Sequence, residues 1–317
     1  MIRNAIVCAW LASSAAILSA AVSGTAVNGT TGKPQAGLSV TLVQAGAQGM
    51  EPVAKATTNA AGEFSFDKDP TPGAPFLLQA IYQGVQYSKA IAPGQAPTGI
   101  IVDVYDATSK AEGVVVDRHG ILIEPVENKL AIREFVFLNN NTKVTYADSA
   151  NGTYRFWAPA DAKINVSLTA QGGMPVTRPA SKAGGAKDTW KIDYPVKPGQ
   201  TQIEISYEVP KSDTFAGNIL HKEGETRLIV PKGLALKGEG LEEFAPEPRT
   251  QAAIYGVKSG PFSVTITGKA EPVEREEDSG SPEVGPGRPR IYSKMPWILG
   301  LMGGILVVGL YSLAKSK

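Results

Sequence analysis

Short stretches in which apolar and polar residues alternate run through the chain from residue 22 to residue 270. Examples are "VSGTAV", "LSVTLV", "EFSF" and "QIEISYEV", and clusters of Gly, Pro, Asn and Asp separate them. A period of two places alternate side chains on opposite faces of a β-strand, whereas a helix needs a period of about 3.6. Only "GLEEFAPE" has room for a single helical turn. We therefore predict an all-β body of short strands joined by tight turns.

The first predicted unit covers residues 22–108, and its six or seven strands have the spacing of a β-sandwich. We expect Asn59–Gly62 to form a tight hairpin turn that brings Phe64 and Phe66 to one face. The side chains expected to oppose them across the core are Leu38, Val40 and Leu42.

The segments "VSGTAVNGTTGKPQAGLSVTL", "TTNAAGEFSF" and "YQGVQYS" resemble the carboxypeptidase regulatory-like domain, a transthyretin-like sandwich of seven strands also grouped with carbohydrate-binding-like folds. This resemblance implies an accessory or surface-exposed module without catalytic residues of its own. The family's zinc peptidase domain has no counterpart here, because residues 22–108 contain no histidine. The matching positions are Gly24, Thr31, Gly32, Lys33, Pro34, Gly37, Val40, Leu42, Thr58, Gly62, Phe64, Phe66, Gly84 and Tyr87.

The second predicted unit covers residues 109–270 and contains eight or nine further alternating segments. Segments such as "KINVSLT", with one apolar and one polar face, are typical of an antiparallel sheet with one face in water. We expect a second β-sandwich or a jelly-roll-like domain, with "GGMPVTRPASKAGGAKD" as a polar loop outside the core.

The N-terminal segment, residues 1–21, has the layout of a secretory signal peptide. Arg3 precedes a short Ala-rich apolar run, and small residues precede a cleavage point after Ala21. The alternative is an uncleaved anchor. The single cysteine of the chain, Cys8, lies inside this segment, so a cleaved chain would contain no thiol.

Near the C-terminus, residues 295–314 form an uncharged apolar stretch of the length that spans a bilayer as a helix. Residues 271–294, rich in Pro, Gly and charge, are expected to be a solvated tether. Residues 315–317 would be a cytoplasmic tail, with the body in the periplasm or on the cell surface. Basic residues flank both sides of the helix, so the orientation rests on the N-terminal signal. Gly300 and Gly304 form a G-x-x-x-G pattern that could pair two helices in a homodimer.

The overall charge is almost balanced, with 31 Lys and Arg against 30 Asp and Glu. No strong field therefore favours a nucleic acid. Neither the phosphate-binding P-loop nor the dinucleotide-binding glycine motif occurs, and we expect no cofactor.

The two histidines, His119 and His221, both lie in polar, turn-like surroundings. Two histidines and a carboxylate are enough ligands for a catalytic zinc site, but we expect both histidines to be solvated loop residues. Asp117 could orient the His119 imidazole in a hydrolase, yet no G-x-S-x-G nucleophile elbow occurs. We accordingly assign no catalytic residue.

Clustered carboxylates in the turns of an extracellular sandwich could bind calcium, and capping of turns by the same residues is the alternative. The four candidates are Asp67, Asp69, Asp103 and Asp106.

Aromatic side chains on a solvated sheet face could serve as platforms for a ligand. The four candidates are Tyr82, Tyr87, Tyr154 and Trp157.

These observations leave three hypotheses open. The first, which we favour, is a non-catalytic, membrane-anchored envelope protein that binds a polysaccharide or a protein and contacts lipid only through its C-terminal helix. The second is a scaffold subunit of an envelope membrane complex. The third is a hydrolase seated in residues 109–270.

Overall fold

A computed structural model describes residues 22–46, 49–68, 70–71, 73–184 and 187–270. Every regular element in these residues is a β-strand, which confirms the all-β prediction. None of the described residues belongs to a helix that is long and apolar enough to cross a membrane. The predicted signal peptide, tether, membrane helix and tail, with Gly300 and Gly304, lie outside the described residues, as does Asp69.

The first strands are β1 (Val22–Asn28), β2 (Lys33–Pro34), β3 (Ser39–Gly46), β4 (Gly49–Thr57), β5 (Glu63–Phe66), β6 (Phe76–Tyr82), β7 (Val85–Ile91), β8 (Ile100–Val104) and β9 (Ala107–Thr108). The next are β10 (Val114–Val126), β11 (Lys129–Asn140), β12 (Thr145–Tyr146), β13 (Tyr154–Trp157), β14 (Asn165–Ala170), β15 (Val176–Thr177), β16 (Ala180–Lys182) and β17 (Thr189–Ile192). The last are β18 (Gly199–Pro210), β19 (Thr214–Ile219), β20 (Glu225–Val230), β21 (Leu234–Lys237), β22 (Glu242–Phe244), β23 (Ala253–Val257) and β24 (Gly260–Gly268).

Strands β1–β8 form two four-stranded sheets around one core, here called the N-terminal sheet pair. In one sheet, β1 pairs in parallel with β8 along one edge and antiparallel with β5 and β2 along the other. The other sheet has the antiparallel order β4-β3-β6-β7. The core contains Phe64 and Phe66 from the first sheet opposite Leu38, Val40 and Leu42, as the alternation predicts.

The turn Asn59–Gly62 is tight, as predicted: the Gly62 N–H donates to the Asn59 carbonyl and the Asn59 N–H donates to the Glu63 carbonyl, both at 2.9 Å. No hairpin ladder extends beyond this turn, which corrects that part of the prediction. The turn joins β4 of one sheet to β5 of the other, so it crosses between the two layers. The Asn59 carboxamide oxygen accepts hydrogen bonds from the backbone N–H groups of Ala61 and Glu63, both 2.9 Å long. An Asn-led turn of this kind supplies its own backbone partners and does not require paired flanking strands.

Strands β10–β24, apart from β12, form the C-terminal sheet assembly around a second core. An eight-stranded sheet of order β15-β14-β18-β11-β10-β20-β23-β22 supplies most of it. Two three-stranded sheets, β13-β17-β16 and β19-β24-β21, supply the remaining core side chains.

Two predictions about this assembly need correction. "GLEEFAPE" contains strand β22 and no helical turn, because Glu242–Phe244 pairs with the edge of β23. The polar loop also contains strands β15 and β16, which continue existing ladders by pairing with β14 and β17.

Backbone and side-chain contacts join the two parts across the predicted boundary at residues 108/109. The short strand β9 pairs in parallel with β12. The Thr145 N–H donates to the Asp106 carbonyl at 2.8 Å, and the Tyr87 hydroxyl bonds the Thr145 hydroxyl at 2.8 Å. Residues on both sides of the boundary therefore belong to one compact unit.

Candidate functional site

An open cleft of about 1060 Å³ lies between the N-terminal sheet pair and the C-terminal sheet assembly. One wall consists of β7 and neighbouring residues of β6 and β8, and the other consists of the turn after β14 and the segment 193–198. Ligand pockets usually measure about 300–1,000 Å³, so the cleft has room for a ligand of several sugar or amino-acid residues.

The cleft presents amide groups and exposed apolar side chains, together with the charged residues Lys89, Asp103, Arg178, Asp193 and Lys197. Five glutamines line it, namely Gln79, Gln83, Gln86, Gln171 and Gln200. Ile81, Met174 and Val176 also line it and are among the seven exposed large hydrophobic residues in the described part of the chain. Amides fix the orientation of a ligand while exposed apolar side chains gain from its burial, so this mixture suits binding.

Tyr87 and Lys197 meet where the two walls join. Tyr87 is buried, and its hydroxyl donates to the Tyr105 carbonyl at 2.8 Å. The Lys197 ammonium lies 5.0 Å from the centre of the Tyr87 ring. Burial lowers the pKa of Lys197 to about 8. Within the part of the chain that the structure describes, no carboxylate pairs with Lys197.

A second polar feature is a buried chain of hydrogen bonds inside the C-terminal sheet assembly, here called the histidine chain. The Tyr207 hydroxyl donates to Glu134 Oε1 at 3.1 Å, and Glu134 Oε2 lies 3.1 Å from His119 Nε2. His119 Nδ1 lies 2.9 Å from His221 Nε2, and His221 Nδ1 lies 2.7 Å from the Glu223 carbonyl oxygen. His119, Glu134 and Tyr207 are each less than 5% exposed.

The last partner of the histidine chain determines how many protons it holds. A carbonyl oxygen only accepts a hydrogen bond, so His221 Nδ1 must carry a proton and donate a hydrogen bond to the Glu223 backbone carbonyl. One proton lies between the two facing imidazole nitrogens, and one lies between His119 and Glu134. The two imidazoles and the carboxyl group thus share three protons and have no net charge. Burial, and secondarily the neighbouring His119, lowers the pKa of His221, which opposes a fourth proton.

The histidine chain has little space for a substrate. The adjoining cavity, lined by Phe215, Phe262 and Trp157 among others, has a volume of about 10 Å³. That is about the space needed for one water molecule. No group of three or more potential metal ligands converges in the described residues. In the histidine chain the ligand atoms pair with one another in sequence and do not point at a common centre.

The expectation of solvated loop histidines is wrong for His119. It lies in β10, in phase with the buried Ile121 and Ile123, because the strand continues through "DRHGI". His221 does lie in a loop, between β19 and β20, but it is half-buried.

The predicted aromatic platforms occupy different environments. Tyr154 is a core residue and no platform, because β13 turns its side chain into the second core. Tyr87 is also buried, although it borders the cleft. Trp157 is half-buried beside the histidine chain, and Tyr82 is half-buried with its hydroxyl 3.0 Å from Asp106 Oδ1.

The described calcium candidates do not come together. Asp67 follows Phe66, which pairs with Val22, whereas Asp103 pairs with Val27 at the other end of β1. Five strand residues separate these levels by roughly 16 Å. Asp106 accepts hydrogen bonds from Asn28 and Tyr82. The carboxylates of Asp67, Asp103 and Asp106 therefore cannot share one ion.

The sequence contains a signal for the histidine chain that composition and motif analysis overlooks. In "LAIREFVFL" the buried face of β11 reads Leu130, Ile132, Glu134, Val136 and Leu138, with one acidic residue in an apolar row. A charged residue in the apolar phase of a strand is rarely buried without a partner.

Comparisons with known proteins give no family. No family model matches the chain, and no curated protein matches its sequence. Solved structures that match include the M1 zinc metallopeptidase from Deinococcus radiodurans, with 9% sequence identity and a TM-score of 0.27. The match covers 49% of this chain and 42% of that one. A mutant of that enzyme bound to a Tyr-Ser-Ala substrate matches at the same identity and TM-score. A likeness at this level supports no assignment of activity.

Proposed function

We propose that this chain is a non-catalytic, membrane-anchored protein of the cell envelope that binds a polysaccharide or a protein segment in the cleft between its two sheet assemblies. The anchoring and the location outside the cytoplasm rest on residues 1–21 and 295–314 of the sequence. The carboxypeptidase regulatory-like character of residues 22–108 rests on the turn glycines and core residues of its motif.

The cleft is the observation that supports binding. It combines a volume of about 1060 Å³ with amide groups and exposed apolar side chains on both walls. The surroundings of the histidine chain support the non-catalytic part of the proposal. That chain is the buried acid-base array of the described residues, yet it adjoins a cavity of about 10 Å³.

The experiment is a binding measurement on the full-length chain with a variant that fills the cleft. The Ser88 side chain is exposed and lines the cleft, so Ser88→Trp should block any ligand there. Lys55→Trp is the matched control, because Lys55 is exposed on β4 at the opposite edge of the same sheet.

Soluble envelope polysaccharide and purified envelope protein fractions are tested separately by titration. We expect Ser88→Trp to weaken binding of one of them at least about tenfold and Lys55→Trp to leave it unchanged. Equal binding by both variants would show that the cleft is not the binding site.

A further inference from the structure

Strand β7 forms one edge of the β4-β3-β6-β7 sheet, and its free side borders the cleft. Residues Val85 to Ala90 all line the cleft. Among the described residues, β7 pairs with β6 alone. The other backbone hydrogen bonds of the described chain do not involve Val85–Ile91. The outer backbone groups of β7 therefore face the cleft without a partner strand.

The turn between β6 and β7 determines which groups these are. Gln83 and Gly84 have φ values of 47° and 78°, so both central residues of the two-residue hairpin loop are left-handed, as in a type I′ turn. In such a hairpin the flanking residues Tyr82 and Val85 form a hydrogen-bonded pair, and such pairs then alternate along the ladder. The residues of β7 whose N–H and C=O groups point away from β6 are thus Gln86, Ser88 and Ala90, all exposed.

The two edges of this sheet are built differently. The β4 edge contains Pro52, and its ladder with β3 has an irregularity at Leu42/Val43. Proline and bulges protect an edge from pairing with another chain. The β6–β7 ladder is continuous from Phe76↔Ile91 to Tyr82↔Val85, and β7 contains no proline. Lys89 is the one charged residue of β7. The edge inside the cleft is therefore the one left open for a further strand.

The surroundings of β7 indicate what kind of strand would fit. Exposed apolar side chains line both walls, with Ile81 beside β7 and Met174 and Val176 opposite. The Lys197 ammonium lies over the ring of Tyr87, the residue before Ser88, and has no carboxylate partner among the described residues. A strand with alternating apolar side chains and one acidic residue complements both features.

We propose that the cleft takes an extended polypeptide segment, which adds an antiparallel or parallel strand to the free edge of β7 and directs an acidic side chain towards Lys197. This inference rests on the proposed function, and it specifies the ligand class. Hydrogen bonds to Gln86, Ser88 and Ala90 would provide affinity, and the apolar residues would select alternate side chains.

Substitution of Ser88 separates backbone pairing from side-chain contact. Ser88→Pro removes an N–H that points into the cleft and leaves the bonds to β6 intact, because edge strands accept proline at such positions. Ser88→Ala removes only the hydroxyl group. Lys89→Pro is the structural comparison, since Lys89 lies in a hydrogen-bonded pair with Leu78 and its replacement should damage the sheet itself.

The probe is an acetylated peptide amide of the same length as β7, 7 residues, with alternating Val and Ser and one Ser replaced by Glu. Its binding to the full-length chain is measured by titration up to about 1 mM. We expect Ser88→Pro to weaken binding at least about tenfold and Ser88→Ala by less than about twofold. A peptide with methylated backbone nitrogens should bind weakly to every variant, which keeps the test valid even where Ser88→Pro fails to fold.

Absence of peptide binding, or equal binding by Ser88→Pro and Ser88→Ala, would overturn the proposal. Self-association of the chain that Ser88→Pro abolishes would also overturn it, because the occupant of the edge would then be a second copy. If Ser88→Trp abolishes polysaccharide binding and Ser88→Pro does not, strand addition would be rejected while the proposed function stands. If Ser88→Trp binds every ligand as tightly as the unchanged chain does, the proposed function would be rejected.

Discussion

Replacing Glu134 tests whether the histidine chain is held by the proton arrangement described above. In Glu134→Gln the amide oxygen still accepts from Tyr207, and the amide N–H₂ donates to His119 Nε2. His119 then donates through Nδ1 to His221, so every hydrogen bond is kept with one proton fewer. We expect a loss in the free energy of unfolding within about 1 kcal/mol.

Glu134→Leu has nearly the same size but leaves the Tyr207 hydroxyl and His119 Nε2 without a partner. Loss of one partner from a buried pair costs about 3–5 kcal/mol, and the added apolar burial offsets roughly 1 kcal/mol. The expected net loss is about 2–4 kcal/mol. The matched controls are Glu204→Gln and Glu204→Leu on the same sheet, where Glu204 is 42% exposed and lies 3.6 Å from Arg133. A surface pair of this kind is worth about 0–1 kcal/mol.

The measurement is urea denaturation of the full-length chain followed by tryptophan fluorescence. Trp190 packs against the second core and Trp157 lines the cavity beside the histidine chain, so both report on the assembly that contains Glu134. Trp10→Phe and Trp297→Phe in every variant remove the signal of the other two tryptophans. Equal losses in Glu134→Gln and Glu134→Leu would refute the proton arrangement. A loss in Glu134→Leu no larger than in Glu204→Leu would show that the buried chain contributes nothing to stability.

Three further predictions follow from contacts described in the structure. Gly24→Ala should prevent stable folding, because its Cβ would lie 2.1 Å from the Ile100 carbonyl oxygen across the β1–β8 pair. At Gly32 an added Cβ meets open space and only the left-handed backbone, with φ of 71°, opposes it, so Gly32→Ala should lower the melting temperature far less. The pKa of Lys197 is lowered to about 8, so the folded chain binds this proton less tightly than the unfolded chain does. The free energy of unfolding should therefore rise between pH 8 and 10.5, and Lys197→Met should abolish that rise. The pKa of His221 is also lowered, with Glu134, Glu223 and His119 facing it, so the free energy of unfolding should fall as the pH drops below 6.5. His221→Gln should flatten this dependence in acid titrations followed by fluorescence, and an unchanged slope would contradict the prediction.

Alternation alone predicts which side chains enter each core, because a strand with one buried face must repeat every two residues. It succeeds for Phe64, Phe66 and Val40. It also places Glu134 on the buried face of β11, in phase with its apolar neighbours. It cannot predict partners that are distant in sequence. The parallel pairs β1–β8, β10–β20 and β9–β12 leave no local pattern, and the last of them joins the two parts between which the cleft lies.

Strand β24, the last of the described strands, lies between β19 and β21 in its sheet and not at an edge. The second core is therefore missing an internal strand until residues 260–268 have left the ribosome, whereas the first core is complete once β8 has emerged. During synthesis the N-terminal sheet pair should consequently fold before the C-terminal sheet assembly, which remains incomplete until β24 is available. A chaperone, or a nascent-chain stall, would act on the second part and leave the first untouched.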